Sequence, residues 1–231
     1  MSRQWKLISV LAIALTSGVS VAEAQITGPS SSQSPYVTPT APGWDVTSLL
    51  TVGDAVGTPS YKMIGLPDGL GAFAGRFDAT SGRYRSDRSY MTVLMNHEIG
   101  AAAGVARAHG QTGAFVSHWT VHLDSLMVTA GQDLIQQVYL WDGVTNTNAL
   151  ATGLSTRFNR LCSADLPAWD AFHNRRTGRG FSGQMFMNGE EAGTEGRAFA
   201  HVVTGVERGR AYELPYLGRF SWENSLAHPD A

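Results

Sequence analysis

The chain has 231 residues, of which 16% are charged, and its formal net charge is −2. This charge excludes the strongly basic footprint of a nucleic-acid-binding protein and the polybasic patch of a membrane-surface protein. The 26 glycines, together with many aromatic residues, favour a turn-rich β protein over a helical bundle. The single cysteine, Cys162, excludes a framework of disulfides within the chain.

The N terminus has the pattern of a secretory signal peptide. Arg3 and Lys6 supply positive charge, and the run LISVLAIAL supplies an apolar core too short to span a bilayer. The AEA tripeptide then suits signal peptidase. We predict a signal peptide over residues 1–24, a periplasmic or extracellular location, and no stable membrane span after cleavage.

The segment at 25–45 is rich in Ser, Thr, Pro and Gly, which predicts a flexible leader. Beyond it, short β-branched and aromatic runs alternate with Gly, Asp and Asn turns. Seven runs have the composition and length of strands: 60–66, 89–96, 113–124, 134–141, 183–189, 198–205 and 211–216. Along the third run, apolar residues from Phe115 to Leu123 fall on one face by two-residue alternation, which predicts a half-buried strand.

Helix signals are few. The best lies at 163–174, where Ser163 or Asp165 could cap the first turn and Pro167 is tolerated early. A second stretch, 99–110, contains good helix formers interrupted by glycines. The whole pattern predicts an all-β sandwich, barrel or propeller with few short helices.

Acidic groups follow several of the predicted strands. Glu98 ends the run MNHE, where oxygen ligands would suit a hard cation or a general base, although the tripeptide by itself favours a polar turn. Glu190 and Glu191 lie in a Gly-rich loop, where adjacent carboxylates repel one another unless a cation lies between them. A solvated acidic loop is the alternative interpretation of that pair. His118 and His122 lie about 13 Å apart along a strand, too far to share one metal ion.

Cys162 has three possible interpretations. It is a buried thiol that packs as a small hydrophobe, an exposed thiol at risk of oxidation, or a metal thiolate that favours a softer ion than calcium. Arg160 and Asp165 give it polar neighbours, while composition alone favours the buried interpretation. Glu223 follows an aromatic pair and adds a further carboxylate late in the chain.

Six motifs in chain order resemble the exported bacterial branch of the PhoX-type alkaline phosphatase family: IGLPDGLGAF, VLMNHEIG, RAHGQTGAFVSHW, RLCSADLP, MNGEE and LGRFSWEN. The resemblance covers nearly all of the chain from about residue 60. It implies a β-propeller whose channel holds calcium and iron ions that hydrolyse phosphate esters. The metal ligands that it implies are Glu98, Cys162, Glu190, Glu191 and Glu223. The residues expected to surround and support them are Asn96, His97, Arg160 and Asp165.

The implied function is an exported metal-dependent phosphatase acting on a small-molecule phosphate ester. Two positions depart from the better-studied members: Trp222 replaces a histidine, and CSAD replaces a Cys-x-Gly-Gly run. A propeller blade takes roughly 40–50 residues, so residues 46–231 hold about four blades, and we expect a domain that is incomplete at its C terminus. The alternatives are an inactive fragment, a non-catalytic calcium-stabilised binding module, and a propeller lactonase or esterase.

Overall fold

The protein is mostly β, and a computed structural model describes residues 24–78 and 80–228. The predicted signal peptide, apart from Ala24, lies outside these residues. In chain order the strands are β1 Ala24–Thr27, β2 Asp45–Ser48, β3 Ala55–Val56, β4 Tyr61–Lys62, β5 Leu66–Ala74, β6 Arg76–Asp78, β7 Arg83–Arg85, β8 Tyr90–Glu98, β9 Phe115–His122, β10 Met127–Asp133, β11 Gln137–Asp142, β12 Thr147–Ala151, β13 Leu161–Asp165, β14 His173–Asn174, β15 Arg179–Gly180, β16 Met185–Glu190, β17 Ala198–Val202 and β18 Arg210–Glu213. Three short 3₁₀ helices, Gly153–Thr156, Gly193–Glu195 and Pro215–Leu217, are the only helices in the described part of the chain. None of these is long and apolar enough to cross a bilayer.

Two antiparallel meanders form the body of the protein. Strands β5, β8, β9 and β10 make a four-stranded sheet in which β5 and β10 are the edges. Strands β13, β16, β17 and β18 make a second meander, and the β11–β12 hairpin extends it to six strands through a parallel pairing of β11 with β18. The short hairpins β3–β4, β6–β7 and β14–β15 connect or flank the two sheets.

The main core lies between the two sheets. Leu94 of β8 and Val116 of β9 are fully buried in one cluster with Phe186 of β16 and Phe199 of β17. The rings of Phe158 and Phe199 pack edge to face with centroids 4.9 Å apart. Burying large apolar side chains from both sheets in one cluster is what holds the sheets together.

A second core covers the other face of the four-stranded sheet. Trp119 and Val121 of β9 pack there with Met63 and Val56 from the chain that precedes β5. Both faces of β9 are therefore buried, and the prediction of a half-buried strand was wrong for this element. The sequence pattern shows one apolar face. The opposite face contains polar residues such as His118, which is also buried and forms a hydrogen bond with Tyr84.

The segment predicted as a flexible leader contains regular pairing. Strand β1 pairs in parallel with β2, with Gln25 opposite Val46. The side-chain amide of Gln25 donates hydrogen bonds to the carbonyls of Pro35, at 3.2 Å, and Val37, at 3.0 Å. Because these bonds are formed by backbone and amide groups, an apolar periodicity does not reveal them.

The helix predicted at 163–174 was wrong. Its first residues belong to β13, which pairs antiparallel with β16, and the chain then turns into the β14–β15 hairpin. Ser163 and Asp165 favour helix caps locally, but the burial of Leu161 in the main core and the pairing with β16 outweigh that preference. The stretch at 99–110 is likewise a series of turns.

Two glycines of β5 allow it to lie directly against the other sheet. A Cβ on Gly69 would lie 2.4 Å from the backbone nitrogen of Ala164 and 2.7 Å from the carbonyl oxygen of Cys162. A Cβ on Gly71 would lie 2.6 Å from the Cβ of Leu166. Strand β5 also contains Pro67, which is tolerated because β5 is an edge strand.

Substitution of Gly69 with alanine should therefore push β5 and β13 apart. We expect Gly69→Ala to lower the free energy of unfolding by about 1–3 kcal/mol, the usual effect of overpacking, as measured by urea denaturation. Gly143→Ala is the control, because no atom lies within 4 Å of a Cβ at that position. Equal stability of the two variants would show that the strands are not in close contact.

Buried histidines make stability depend on pH. The His97 ring stacks on Phe115 with centroids 3.9 Å apart, and its nitrogens lie 2.5 Å from the Ile64 carbonyl and 2.7 Å from the Ser117 hydroxyl. Burial lowers the pKa of His97 to about 4, and burial together with the charge of Arg208 lowers the pKa of His118 to about 3.

Between pH 6.5 and pH 4 the unfolded chain binds protons at these histidines whereas the folded chain does not. Stability should therefore be complete above the ordinary histidine pKa and should fall as the pH drops to 4, with a loss of about 3 kcal/mol from His97 alone. Urea denaturation at half-unit pH steps measures the decline, and His97→Gln should make it shallower. A flat profile in this window would contradict the burial of these rings.

Candidate metal centre

Three potential ligand atoms from distant parts of the chain converge where the two sheets meet. A carboxylate oxygen of Asp68, a carboxylate oxygen of Glu98 and the sulfur of Cys162 all lie within 4.8 Å of one another. Asp68 comes from β5 and Glu98 from the end of β8, while Cys162 comes from β13. Both sheets therefore contribute ligand atoms.

Irregular strand pairing directs two of these side chains. The register of β5 against β8 shifts between Pro67 and Leu70, the interval that contains Asp68. The register of β13 against β16 shifts between Leu161 and Ala164, the interval that contains Cys162. Bulges of this kind re-aim side chains, and they are common beside functional sites.

Glu191 and Arg160 complete the cluster. The Oε2 atom of Glu191 lies 3.2 Å from the Cys162 sulfur. Arg160 donates from Nε to Glu98 at 2.9 Å and from a terminal nitrogen to Glu191 at 2.5 Å. We call Asp68, Glu98, Arg160, Cys162 and Glu191 the acidic thiol cluster.

The cluster carries an excess of negative charge. Burial, the hydrogen bond to Glu191 and the charges of Glu98, Glu191 and Asp68 raise the pKa of the Cys162 thiol to about 12. Hydrogen bonding to Glu98 and the charge of Glu191 raise the pKa of Arg160. Three carboxylates thus face one guanidinium, and a bound cation would balance the excess and stabilise the thiolate.

The donor set fits the implied ions. Carboxylate oxygens are the ligands that calcium prefers, and a thiolate favours a softer or redox-active metal such as iron. Asp68 was not among the ligands expected from the sequence, although it lies within the motif IGLPDGLGAF. Its position was hidden because the predicted strand at 60–66 ended before it, whereas β5 begins at Leu66.

Glu190 lies outside the acidic thiol cluster. It is 3% exposed, and its two oxygens accept bonds from Arg197 Nε at 2.7 Å and from an Arg197 terminal nitrogen at 2.8 Å. The backbone nitrogens of Asn159, at 2.9 Å, and of Arg197, at 3.1 Å, also donate to it. With these four bonds Glu190 fixes the loop that precedes β13, and its neighbour Glu191 is the glutamate that reaches Cys162.

The segment that follows β18 lies along β13. Glu223 Oε2 is 3.5 Å from the Ser163 hydroxyl, and Asp165 accepts a bond from the backbone nitrogen of Ala227 at 3.0 Å. Trp222 is buried against Gly189, where an added Cβ would lie 2.4 Å from the Trp222 Cβ. The structure thus places Glu223 against Ser163 and Asp165 in a backbone contact, while Trp222 packs into the protein.

Asn96 and His97 lie on opposite faces of β8. The side-chain amide of Asn96 donates to the carbonyl of Cys162 and, at 3.3 Å, to that of Ser163. His97 faces the second core, and its ring nitrogens bond to Ile64 and Ser117 instead of the cluster. Of the residues expected to support the ligands, Arg160 belongs to the cluster and Asn96 bonds to the backbone of Cys162.

No protein-family model, curated protein or solved structure matches this chain. The likeness to PhoX-type phosphatases therefore rests on the six motifs alone.

Proposed function

We propose that the protein is an exported, metal-dependent phosphatase of the PhoX type that acts on small phosphate esters. The observation that carries the proposal is the convergence of Asp68, Glu98 and Cys162 ligand atoms within 4.8 Å. Glu191 joins them from a fourth segment at 3.2 Å from the Cys162 sulfur. Oxygen and sulfur donors that meet from separate segments of chain are typical of a built metal site.

The fold is consistent with part of a β-propeller. Each meander has four antiparallel strands, with a short hairpin inserted after its first strand, and the two meanders pack face to face as neighbouring propeller blades do. We assign two blades to residues 66–213, with β5 and β13 as the strands nearest the cluster. The sequence length led us to expect about four blades; the small hairpins, the loops and the β11–β12 extension occupy the rest of that length.

In this proposal, Asp68, Glu98, Glu191 and Cys162 would hold the cations, because carboxylates suit calcium and a thiolate suits iron. Bound cations would supply charge that polarises the phosphate oxygens of a substrate. Arg160 is about half exposed beside the same carboxylates, so its guanidinium can bind phosphate oxygens in a two-pronged geometry. The strand ends and bulges that carry these residues hold them in place before substrate binds.

Phosphate release from a generic aryl phosphate tests the function. The purified protein, loaded with calcium and iron, should hydrolyse the ester, and a chelator should abolish the reaction until metal is restored. Arg160→Ala should raise KM because it removes the group that contacts the phosphate. Hydrolysis that is unaffected by chelation, or no hydrolysis at any metal loading, would contradict the proposal.

A second candidate is a non-catalytic, calcium-stabilised module. The observation in its favour is that Arg160 already pairs with Glu98 and Glu191, at 2.9 and 2.5 Å, so two carboxylates have a cationic partner. For this candidate, calcium should raise the melting temperature while phosphatase activity stays undetectable. A lactonase or esterase is the further alternative from the sequence, and it would keep its activity in Cys162→Ala.

A further inference from the structure

A chain of buried side-chain hydrogen bonds connects the two sheets behind the acidic thiol cluster. His201 of β17 bonds through Nε2 to Asn188 Oδ1 at 2.7 Å, and Asn188 of β16 donates through Nδ2 to Asn96 Oδ1 at 2.8 Å. Asn96 of β8 then donates to the carbonyl of Cys162 in β13. We call His201, Asn188 and Asn96 the amide relay.

The relay is fully enclosed and its direction is defined. The exposed fractions of Asn96, Asn188 and His201 are 0%, 1% and 0%. Because Asn188 Oδ1 can only accept, the hydrogen of its bond to His201 is on Nε2 of the imidazole. Each amide therefore uses its oxygen toward the preceding partner and its nitrogen toward the next, ending at the Cys162 peptide.

The relay gives directional bonds to the buried centre of the interface, while the Arg160–Glu98 ion pair does so at its more exposed edge. The surrounding contacts between Leu94, Phe186 and Phe199 are hydrophobic and do not specify a register. The amide bonds do specify one, since leaving a buried amide without a partner costs about 1–3 kcal/mol. The bond from Asn188 to Asn96 fixes the four-stranded sheet against the six-stranded sheet at one position.

That register decides the geometry of the cluster. Asp68 and Glu98 belong to one sheet and Cys162 belongs to the other, so the distances between their ligand atoms depend on how the sheets dock. Asn96 lies two residues before Glu98 in β8, so both side chains point from the same face of the strand. The Asn96 amide thus holds the Cys162 peptide opposite the strand end that carries Glu98.

We propose that Asn188 is a positioning residue for the metal centre, which acts through Asn96 to set the sulfur of Cys162 relative to Glu98. The proposal rests on the proposed metal-dependent function in one respect, which is that the placement of Cys162 affects the binding of a cation. The placement of the sulfur itself can be measured without metal. Residues that orient metal ligands in this way typically change metal affinity 10–100-fold when they are replaced.

The first experiment uses cobalt(II) as the metal probe and compares Asn188→Leu with Asn148→Leu. Asn148 is the control because its amide bonds to the carbonyl of Glu213 in the same sheet and lies outside the relay. Titration of metal-free wild-type protein should give a thiolate-to-cobalt absorption band, which identifies sulfur coordination. We expect Asn188→Leu to bind cobalt about 10–100-fold more weakly with a diminished band, while Asn148→Leu matches wild type.

The second experiment measures the alkylation rate of Cys162 by iodoacetamide in metal-free protein. Asn188→Leu should react several-fold faster than wild type and Asn148→Leu, because the strand that carries the thiol is no longer held. If Asn188→Leu fails to fold, Asn188→Thr replaces it, since threonine suits a strand and its hydroxyl is too short to reach Asn96.

The outcomes separate the two proposals. Wild-type cobalt affinity and wild-type alkylation in the folded Asn188 variant would overturn the positioning role. An absent cobalt band in wild type, with faster alkylation in the variant, would contradict the metal-dependent function and support the placement of Cys162. A band that weakens equally in both asparagine variants would show general loosening of the sheet and would also overturn the positioning role.

Discussion

Replacing Glu190 with glutamine should lower the free energy of unfolding by about 3–5 kcal/mol while leaving the affinity for metal largely intact. Glu190 is 3% exposed and forms a two-pronged ion pair with Arg197, at 2.7 and 2.8 Å. Removing its charge leaves a largely buried guanidinium without a counter-ion, which is a strongly destabilising change. Urea denaturation of wild type and Glu190→Gln in chelator measures the loss.

The adjacent glutamate is the matched control. Glu191 lies in the acidic thiol cluster, where it faces the Cys162 sulfur and shares Arg160 with Glu98. In metal-free protein, Glu191→Gln should change the free energy of unfolding by no more than about 0.5 kcal/mol, because it removes one of several crowded negative charges. It should weaken metal binding instead. Equal destabilisation by both substitutions would contradict the separation of their roles.

Replacing Cys162 with alanine should reduce phosphate release by at least about 100-fold under conditions in which wild type is loaded with calcium and iron. The sulfur is the only soft donor in the cluster, and alanine leaves only the three carboxylates as ligands, which suit calcium better than iron. Steady-state hydrolysis of an aryl phosphate, with protein concentration normalised by absorbance, measures the change.

The stability of the same variant separates a ligand role from a packing role. Cys162 is 5% exposed. If its thiol served only as a small hydrophobe, Cys162→Ala would lower the free energy of unfolding by roughly 1–2 kcal/mol and would not affect metal binding. We expect the activity to fall far more than the stability does in metal-free protein. Activity that survives in a folded Cys162→Ala protein would favour ester hydrolysis without a thiolate.

Much of the strand pattern was predictable because it depends on local composition. The runs at 89–96, 113–124 and 198–205 correspond to β8, β9 and β17, where β-branched and aromatic residues dominate. Strand β5 was missed beyond its first residue because LPDGLGAFA has little β propensity. Its pairing with β8 and its glycine-mediated contact with β13 are tertiary effects.

The helix expected at 163–174 failed for the same physical reason. Cap-forming side chains at Ser163 and Asp165 describe local preference, whereas the burial of Leu161 and the ladder to β16 determine the outcome. Helix-capping and propensity rules consider only residues that are near in sequence, whereas β13 is stabilised by contacts with residues far away along the chain.

The candidate site was only partly visible in the sequence. Glu98, Cys162 and Glu191 followed from short motifs, and the structure brings these three together. The sequence did not predict roles for Asp68, Asn188 and His201. Their roles depend on the register between the two sheets, which the spacing of residues within a motif does not reveal. Glu190 and Glu191 also could not be told apart, since only the fold shows that one faces Arg197 and the other faces Cys162.

The metal content of the purified protein is the most direct measurement of whether the acidic thiol cluster binds cations. Elemental analysis after exhaustive dialysis should find at least one tightly held cation per wild-type chain, calcium or iron, and this cation should be lost in a folded Cys162→Ala, Glu191→Gln double variant. Wild-type protein that retains no cation, and whose melting temperature does not respond to added calcium or iron, would contradict the proposed metal centre.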